Sequence, residues 1–299
     1  MPELKILTSP DWEDYELLDS GDHLKLERYG PYRFIRPEPQ AVWQPTLEGS
    51  RWQAAHARFQ PSQEESGGLW IFSQPVSESW EMNYKNLRFQ AQTTAGRHLG
   101  VFPEQAVHWD WISQCIQSAG RPIKVLNLFG YTGLASLAAA RAGAQVTHVD
   151  ASKKAVAWAR SNQSLSNLED RSIRWIVDDA LKFTQREVRR QSRFDALILD
   201  PPKFGRGPKG EVWEFFKLFP QLMNICRQAL TPEPLFIVIT SYAVRASALS
   251  LYYGLLEHTT SLGGKITAGE LALQDRSQGR MLSTAIFARW QNDKASPPE

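Results

Sequence analysis

The chain has 299 residues, 42% of them hydrophobic, enough for a sizeable core and one or two domains. Its formal net charge is +2, too mild to identify a nucleic-acid partner by charge alone and compatible with a local basic patch. The two cysteines, Cys115 and Cys226, lie far apart in segments that read as helical; neither a disulfide framework nor a metal motif can be read from them, and a reducing, cytoplasmic setting is the plain inference. Met1-Pro2-Glu3-Leu4-Lys5 lacks a run of signal-peptide length, and no stretch of about 20 apolar residues is present to span a membrane.

Residues 1–118 read as a small β-rich region closed by a linking helix. Short apolar pieces (Leu24 to Leu26, Tyr32 to Ile35, Leu69 to Phe72, Leu87 to Gln92) alternate with turn signals at Ser20-Gly21-Asp22, Tyr29-Gly30-Pro31 and Gly67-Gly68, a rhythm of hairpins. Of the 11 tryptophans, Trp12, Trp43, Trp52, Trp70, Trp80, Trp109 and Trp111 precede residue 120, so this region has much aromatic surface to bury or to use. The apolar positions Val107, Trp111, Cys115 and Ile116 fall mostly on one face of a helix over 104–118.

Over 119–292 the rhythm changes to strand and helix in alternation, which implies a mostly parallel sheet with helices on both faces. Strands are expected at 123–128, 145–149, 172–177, 194–199 and 235–240. Helices are expected at 132–142, 152–166, 180–191, 211–229 and 245–259. Two further β-like runs, Lys265 to Leu273 and Met281 to Trp290, are joined by a polar loop containing Gly279 and predict an antiparallel hairpin at the sheet edge. Residues 293–299 are expected to fray.

Chemistry concentrates at the ends of these strands. Val125 to Leu128 runs into Phe129-Gly130-Tyr131-Thr132-Gly133, a small-residue turn that opens a helix, where backbone amides can approach a ligand. The next strand ends in Asp150, the position at which a βαβ nucleoside site holds ribose hydroxyls. Together they point to an adenosine-like cofactor. Leu128 stands where a dinucleotide fingerprint needs its first glycine, which argues against a nicotinamide or flavin. The following strand ends at Asp178-Asp179-Ala180. One aspartate is expected to cap the helix and Asp179 is expected to face the adenine amine. The fourth strand ends at Asp200-Pro201-Pro202-Lys203-Phe204. Two prolines make a stiff corner at the carboxyl edge of the sheet, which would hold the Asp200 carboxylate beside the reacting group.

The ordered set Leu126 to Gly133, Val149-Asp150-Ala151-Ser152-Lys153, Asp179-Ala180 and Asp200 to Phe204 resembles the bacterial class I S-adenosylmethionine (SAM) methyltransferases of large-subunit ribosomal RNA, the guanine-N7 and cytosine-C5 enzymes above all. Gly100 to Gln105 is similar to a segment that precedes the SAM domain in that family. The resemblance covers roughly residues 85–290. It implies a Rossmann-like α/β fold with a seven-stranded, mostly parallel sheet and an antiparallel C-terminal hairpin. It also implies SAM as cofactor and an RNA substrate; the six histidines are scattered with no ligand spacing, so no metal is expected. By position, Phe129, Gly130, Tyr131 and Gly133 would line the methionine side with Asn127 behind them. Asp150, with Ala151 and Ser152, would hold the ribose. Asp179, with Asp178 and Ala180, would hold the adenine, and Phe102 and Gln105 would close the pocket. Asp200, Pro201, Pro202, Lys203 and Phe204 would edge the methyl-transfer site.

Three departures bear on mechanism. Asn127 replaces the acid common at that position. Lys203 replaces the aromatic that stacks on a base in exocyclic-amine methyltransferases, leaving Phe204 as the substitute. The cytosine-C5 enzymes need a cysteine near the fourth or fifth strand end, and here Cys226 falls inside a helix as core, so direct in-line transfer is expected. The basic, glycine-rich stretch Lys203 to Gly210 reads equally as a phosphate contact or a solvated loop. Arg186, Arg189, Arg190 and Arg193 read as charges favoured at a helix C-terminus. A protein or small-molecule methyltransferase and a SAM-binding module without catalysis stand as the alternatives.

Overall fold

Ala196–Leu199 and Phe236–Ser241 are buried at every position. Runs of that kind sit centrally in a parallel sheet covered on both faces. The computed structural model describes residues 2–9, 12–62, 67–242 and 244–293. The tail expected to fray lies, from residue 294 on, outside them. Among the described residues the chain divides into two compact units. The larger takes the stretch up to Leu7, Val107–Leu271 and the stretch from Ala285, and the smaller takes Thr8–Ala106 and Ala272–Thr284. The helix expected to link the domains therefore belongs, from Val107, to the larger unit, and the tip of the C-terminal hairpin belongs to the smaller one.

After strand β1 (Leu4–Thr8), the smaller unit builds β2 (Tyr15–Gly21), β3 (Leu24–Tyr29), β4 (Tyr32–Pro37), helix α1 (Gly49–Gln53), β5 (Ala57–Pro61) and β6 (Gly68–Phe72). These strands form one sheet in that order, antiparallel except for the parallel pair β4–β5. A separate antiparallel hairpin, β7 (Ser79–Tyr84) and β8 (Leu87–Gln92), follows. Three of the early tryptophans are spent on packing: Trp80 stacks on Phe34 at 5.5 Å, Trp70 meets Phe34 and Phe59 edge-on, and Trp12 packs on Tyr84 and Phe89. Each such ring pair adds about 0.5–1.5 kcal/mol beyond the area it buries. At the heart of this unit Glu27 accepts from Arg36, Tyr15 and Tyr29, and Lys25 lies against Glu27 and Glu38.

The larger unit continues with α2 (Ala106–Ser118), β9 (Lys124–Leu128), α3 (Leu134–Arg141), β10 (Gln145–Asp150), α4 (Lys153–Leu165), β11 (Ile173–Val177), α5 (Ala180–Arg189) and β12 (Ala196–Leu199). It ends with β13 (Phe204–Arg206), β14 (Val212–Glu214), α6 (Phe215–Ala229), β15 (Phe236–Ser241), α7 (Ala248–Thr259), β16 (Lys265–Gln274) and β17 (Met281–Gln291). Among the described residues the main sheet has eight strands in the order β1-β16-β17-β15-β12-β9-β10-β11. From β17 to β11 the five pairings run parallel except β15–β17, which is antiparallel. Alternate residues sort the two faces. Val125, Val146, Ile198 and Val238 pack under α2 and α3, while Leu126, Leu128, Leu197, Leu199, Ile237 and Ile239 pack under α5, α6 and α7.

Two expectations are corrected. The C-terminal hairpin does not end the sheet, because β1 adds an eighth strand outside β16. A Cβ at Gly269 would run into the Lys5 carbonyl, so a bare backbone is what admits β1. The helix expected over 211–229 begins only at Phe215, and residues 204–206 and 212–214 instead form an antiparallel hairpin with Phe204 opposite Glu214 and Arg206 opposite Val212. Pro220 sits inside α6, where it removes one helical hydrogen bond.

Candidate cofactor and methyl-transfer site

The strand order reverses at β9. From it the chain moves outward through β10 and β11 on one side and through β12 and β15 on the other. A crevice opens at the carboxyl ends of the strands at such a switch point. The registers set four ends side by side: Leu128 pairs with Val149 and with Leu199, and Asp150 pairs with Val177. The residues that follow those partners are Phe129, Asp150, Asp178 and Asp200.

The turn after β9 is tightly determined. Phe129 and Tyr131 have φ of 58° and 50°, and Gly133 has φ of 85°. Left-handed backbone at a residue other than glycine costs on the order of 1–3 kcal/mol and persists where the surroundings hold it. Here Gly130 N donates to Val149 O at 3.1 Å, and Tyr131 N donates to Asp150 Oδ2 at 2.9 Å. Phe129 packs on Trp213 at 4.9 Å and Tyr131 on Trp158 at 6.1 Å. A Cβ at Gly133 would stand 2.8 Å from the Ala159 Cβ, so glycine is required there for packing as well as for φ.

Asp150 is held on both oxygens, Oδ2 by Tyr131 N and Oδ1 by Ser152 N at 2.8 Å. Burial raises its pKa and the two amides pull it back. Ser152 caps α4 through Ala155 N. At the next strand end Asp179 accepts from Lys182 N at 2.9 Å and caps α5, so the aspartate expected to face adenine is also the cap. Asp178 accepts from Asp179 N and is ion-paired with Arg186. Arg186 lies in the last turn of α5, as expected, and this ion pair is a second structural role for it. Asn127, expected behind the methionine side, is 2% exposed and donates to Ser136 Oγ at 2.8 Å.

The corner after β12 is braced from outside. Trp213 Nε1 donates to Pro202 O at 2.7 Å, Ser241 Oγ donates to Pro201 O at 3.5 Å, and Phe215 N donates to Lys203 O at 3.0 Å. Both proline carbonyls thus accept hydrogen bonds from within the protein, and the corner also carries the Asp200 carboxylate. The basic stretch 203–210 is an ordered hairpin rather than a loop. Glu211 gathers it by accepting from Lys209 N and from Lys182 Nζ at 2.8 Å, which ties the hairpin to the start of α5. Lys203, Phe204 and Arg206 stand exposed on it, Phe204 at 53%. Sequence reasoning missed Trp213, Glu211 and Lys182. A tryptophan and an acid just after a glycine-rich stretch are the signal that the stretch folds back on itself.

Phe102 and Gln105 belong to the smaller unit. There Phe102 packs on His98 at 4.7 Å and Gln105 N donates to Phe102 O. Both cysteines are buried and free, and burial pushes each thiol up to about 12, which leaves them protonated and unreactive. Among the described residues no group of three or more His, Cys, Asp or Glu gathers as metal ligands, and no helix is long and apolar enough to cross a membrane.

Asp150, Asp178, Asp179 and Asp200 thus stand at the carboxyl ends of β10, β11 and β12, strands that lie side by side with β9 in one sheet. Acceptors of that kind suit a ligand that carries positive charge together with hydroxyl and amine donors, and a nucleoside sulfonium has those features.

The family model for S-adenosylmethionine-dependent methyltransferases matches residues 23–233. A crystal structure of a SAM-dependent methyltransferase from Agrobacterium tumefaciens is 47% identical, with a TM-score of 0.92 over 97% of this chain and 96% of that one. SMU.776, crystallised in complex with SAH, shares the fold at 17% identity, with a TM-score of 0.70 over 93% of this chain and 75% of that one. Ribosomal RNA large subunit methyltransferase K/L of Shewanella oneidensis is 35% identical over 125 residues, and that of Desulfotalea psychrophila is 33% identical over 121. Those stretches are 42% and 40% of this chain but only 17% and 16% of the relatives' own lengths. The chain belongs to the S-adenosylmethionine-dependent methyltransferase family.

Proposed function

We propose that the chain transfers a methyl group from SAM directly to a base of large-subunit ribosomal RNA. The observation that carries this reading is the corner at Asp200: a carboxylate beside the switch point, on a backbone stiffened by Pro201 and Pro202, next to a hairpin that exposes Phe204, Lys203 and Arg206. An exposed aromatic ring suits an unpaired base, and cations beside it suit the RNA backbone. The homology to ribosomal RNA large subunit methyltransferases K/L supports the same substrate, and that substrate sets the reaction in the cytoplasm.

In this reading Asp150 accepts from the ribose hydroxyls, with Ala151 and Ser152 flanking it. Asp179 receives the adenine amine beside Asp178 and Ala180, and the turn Phe129-Gly130-Tyr131-Thr132-Gly133 takes the methionine half. When bound, SAM supplies an activated methyl group, so the protein's part is to position a nucleophile and exclude water. Asp200 would accept a hydrogen bond from the base and aim its reacting nitrogen. Phe204 would stack on that base, and Lys203 would contact a phosphate. Protonated, buried thiols favour transfer without a covalent cysteine intermediate.

The test is incubation with methyl-labelled SAM and unmodified large-subunit ribosomal RNA, followed by mapping of the modified position. Label should enter RNA and rise as salt is lowered. Label entering protein or a small molecule while RNA stays unlabelled would replace the substrate. The variant Asp200→Ala should keep its SAM affinity and lose about 100-fold in transfer, the order expected when a reacting group is misaligned.

A further inference from the structure

A buried histidine lies directly beneath the turn after β9. His148 is the register partner of Asn127 across β9–β10 and is fully buried. Its Nδ1 is 3.0 Å from Ser136 Oγ, which accepts in turn from Asn127 Nδ2 at 2.8 Å. The flat of the ring meets Trp175 edge-on at 4.7 Å. The edge of the ring faces Gly130: a Cβ built there would be 2.5 Å from His148 Nδ1. Gly130 has no positive φ, so backbone freedom does not demand glycine at that position. The space is denied by the imidazole.

The arrangement is odd for a structural filler. His148 Nε2 is buried with no hydrogen-bond partner among the described residues. A buried polar atom left so is destabilising, and an apolar side chain would avoid that cost. A histidine there gives what an apolar ring would not, an orientation pinned at Nδ1 by Ser136. Above it, the left-handed residues Phe129 and Tyr131 need surroundings that prevent their relaxing. Asp150 holds the turn from the side through Tyr131 N, and the His148 ring holds it from below.

We propose that His148 is a positioning residue for the cofactor: its ring, oriented by the Asn127–Ser136 pair, is the floor that keeps the Phe129-Gly130-Tyr131 turn in the shape that receives SAM. The proposal rests on the reading that this turn takes the methionine half of SAM. Burial holds the imidazole at about 3, so the floor stays neutral through the physiological range.

The experiment is calorimetric titration of SAM into the full chain, with a ligand-free melting curve for each variant. His148→Asn keeps a hydrogen-bonding group near the place of Nδ1 but removes the rest of the ring, and Gly130→Ala puts a methyl against that ring. Each should raise the SAM dissociation constant by about tenfold through lost preorganisation. The double variant should bind no more than about threefold worse than His148→Asn, because the methyl then occupies the space the ring has left. A purely structural His148 would lower the melting temperature and leave the two effects on affinity to multiply. Affinity within twofold of the wild type in His148→Asn, or a double variant whose losses multiply, overturns the proposal. Should His148→Asn lose its melting transition, Ser136→Ala takes its place: freeing the ring should weaken SAM binding, and unchanged affinity overturns the proposal. Asp150→Ala separates the two readings. Unchanged affinity there removes the cofactor site itself, whereas weakened affinity there with normal affinity in His148→Asn removes only the floor.

Discussion

Each unit buries a polar network, and the two networks solve the problem of desolvation differently. In the smaller unit Glu27 and Arg36 are ionised and paired, with both oxygens of Glu27 taken by the guanidinium and the hydroxyls of Tyr15 and Tyr29 also on it. In the larger unit Asn127, Ser136 and His148 are neutral. A buried ion is tolerable only where its partner is fixed beside it. The strand pairing in the smaller unit supplies that, because β3 and β4 present Glu27 and Arg36 on neighbouring strands. The site has no such partner behind its turn. The network beneath its turn carries no charge, and the carboxylates at the strand ends are held by other means, Asp150 by two backbone amides and Asp178 by Arg186. The contrast lies in how each network is satisfied: an ion meets its counter-ion in one, and neutral groups meet each other in the other.

The contrast can be broken most severely at Glu27. Glu27→Ala leaves Arg36 buried without its anion and should cost about 3–5 kcal/mol, read as a loss of melting temperature. A double change, Glu27→Leu with Arg36→Met, should recover most of that loss. If the single change is mild, the pair is not the brace it is taken for. Ser136→Ala is the counterpart in the neutral network. It strips one partner each from Asn127 and His148 and should cost about 1–3 kcal/mol, less than Glu27→Ala because no ion is stranded. Denaturant unfolding of the two variants side by side gives the ranking.

Titration sharpens the same comparison. Burial would raise Glu27, but Arg36 and Lys25 outweigh it and hold the carboxyl at about 2. Its folded pKa lies below its unfolded one, so its contribution is complete above the ordinary carboxylate range and is lost as pH falls through that range toward 2. Burial alone holds His148 at about 3, also below its unfolded value. Its contribution is complete above the ordinary imidazole pKa of about 6.5 and declines as pH falls below that. The stability difference between wild type and His148→Asn should therefore begin to change near pH 6 on acidification. The difference between wild type and Glu27→Gln should hold until below about pH 5. Coincident onsets would show that the two networks are not charged as described.

A smaller effect is expected at the corner. Trp213→Phe removes the donor to Pro202 O while keeping an aromatic ring against Phe129, and should cost about 1 kcal/mol. Its sharper signature would be reduced transfer with SAM affinity retained.

What the sequence made legible was the part built from local signals. A β-run, a glycine turn and an Ala/Leu helix predict β9, the turn and α3 without tertiary information, and Asp150 follows at the tip of the next strand. Unread features depend on pairing across the chain. β1 joins the sheet only because Gly269, far away in sequence, lets the Lys5 carbonyl approach. The hairpin of β13 and β14 was hidden in a glycine-rich stretch and an adjoining helical pattern, and it is closed by Lys182 and Glu211 from separate elements. Asn127 sits where the motif predicts a ligand contact, yet its side chain donates to Ser136, which in turn bonds His148. Position within a motif gave the residue's place on the strand, and a serine on α3 gave its side chain a partner.

The central claim is that the crevice at the carboxyl ends of β9, β10, β11 and β12 receives the cofactor. A crystal structure of this chain grown with SAH tests it most directly. The ribose hydroxyls should lie within hydrogen-bonding distance of the Asp150 carboxylate, with the adenine toward Asp179 and the sulfur on the Asp200 side. A nucleoside bound elsewhere, with Asp150 facing only Tyr131 and Ser152, would contradict the account.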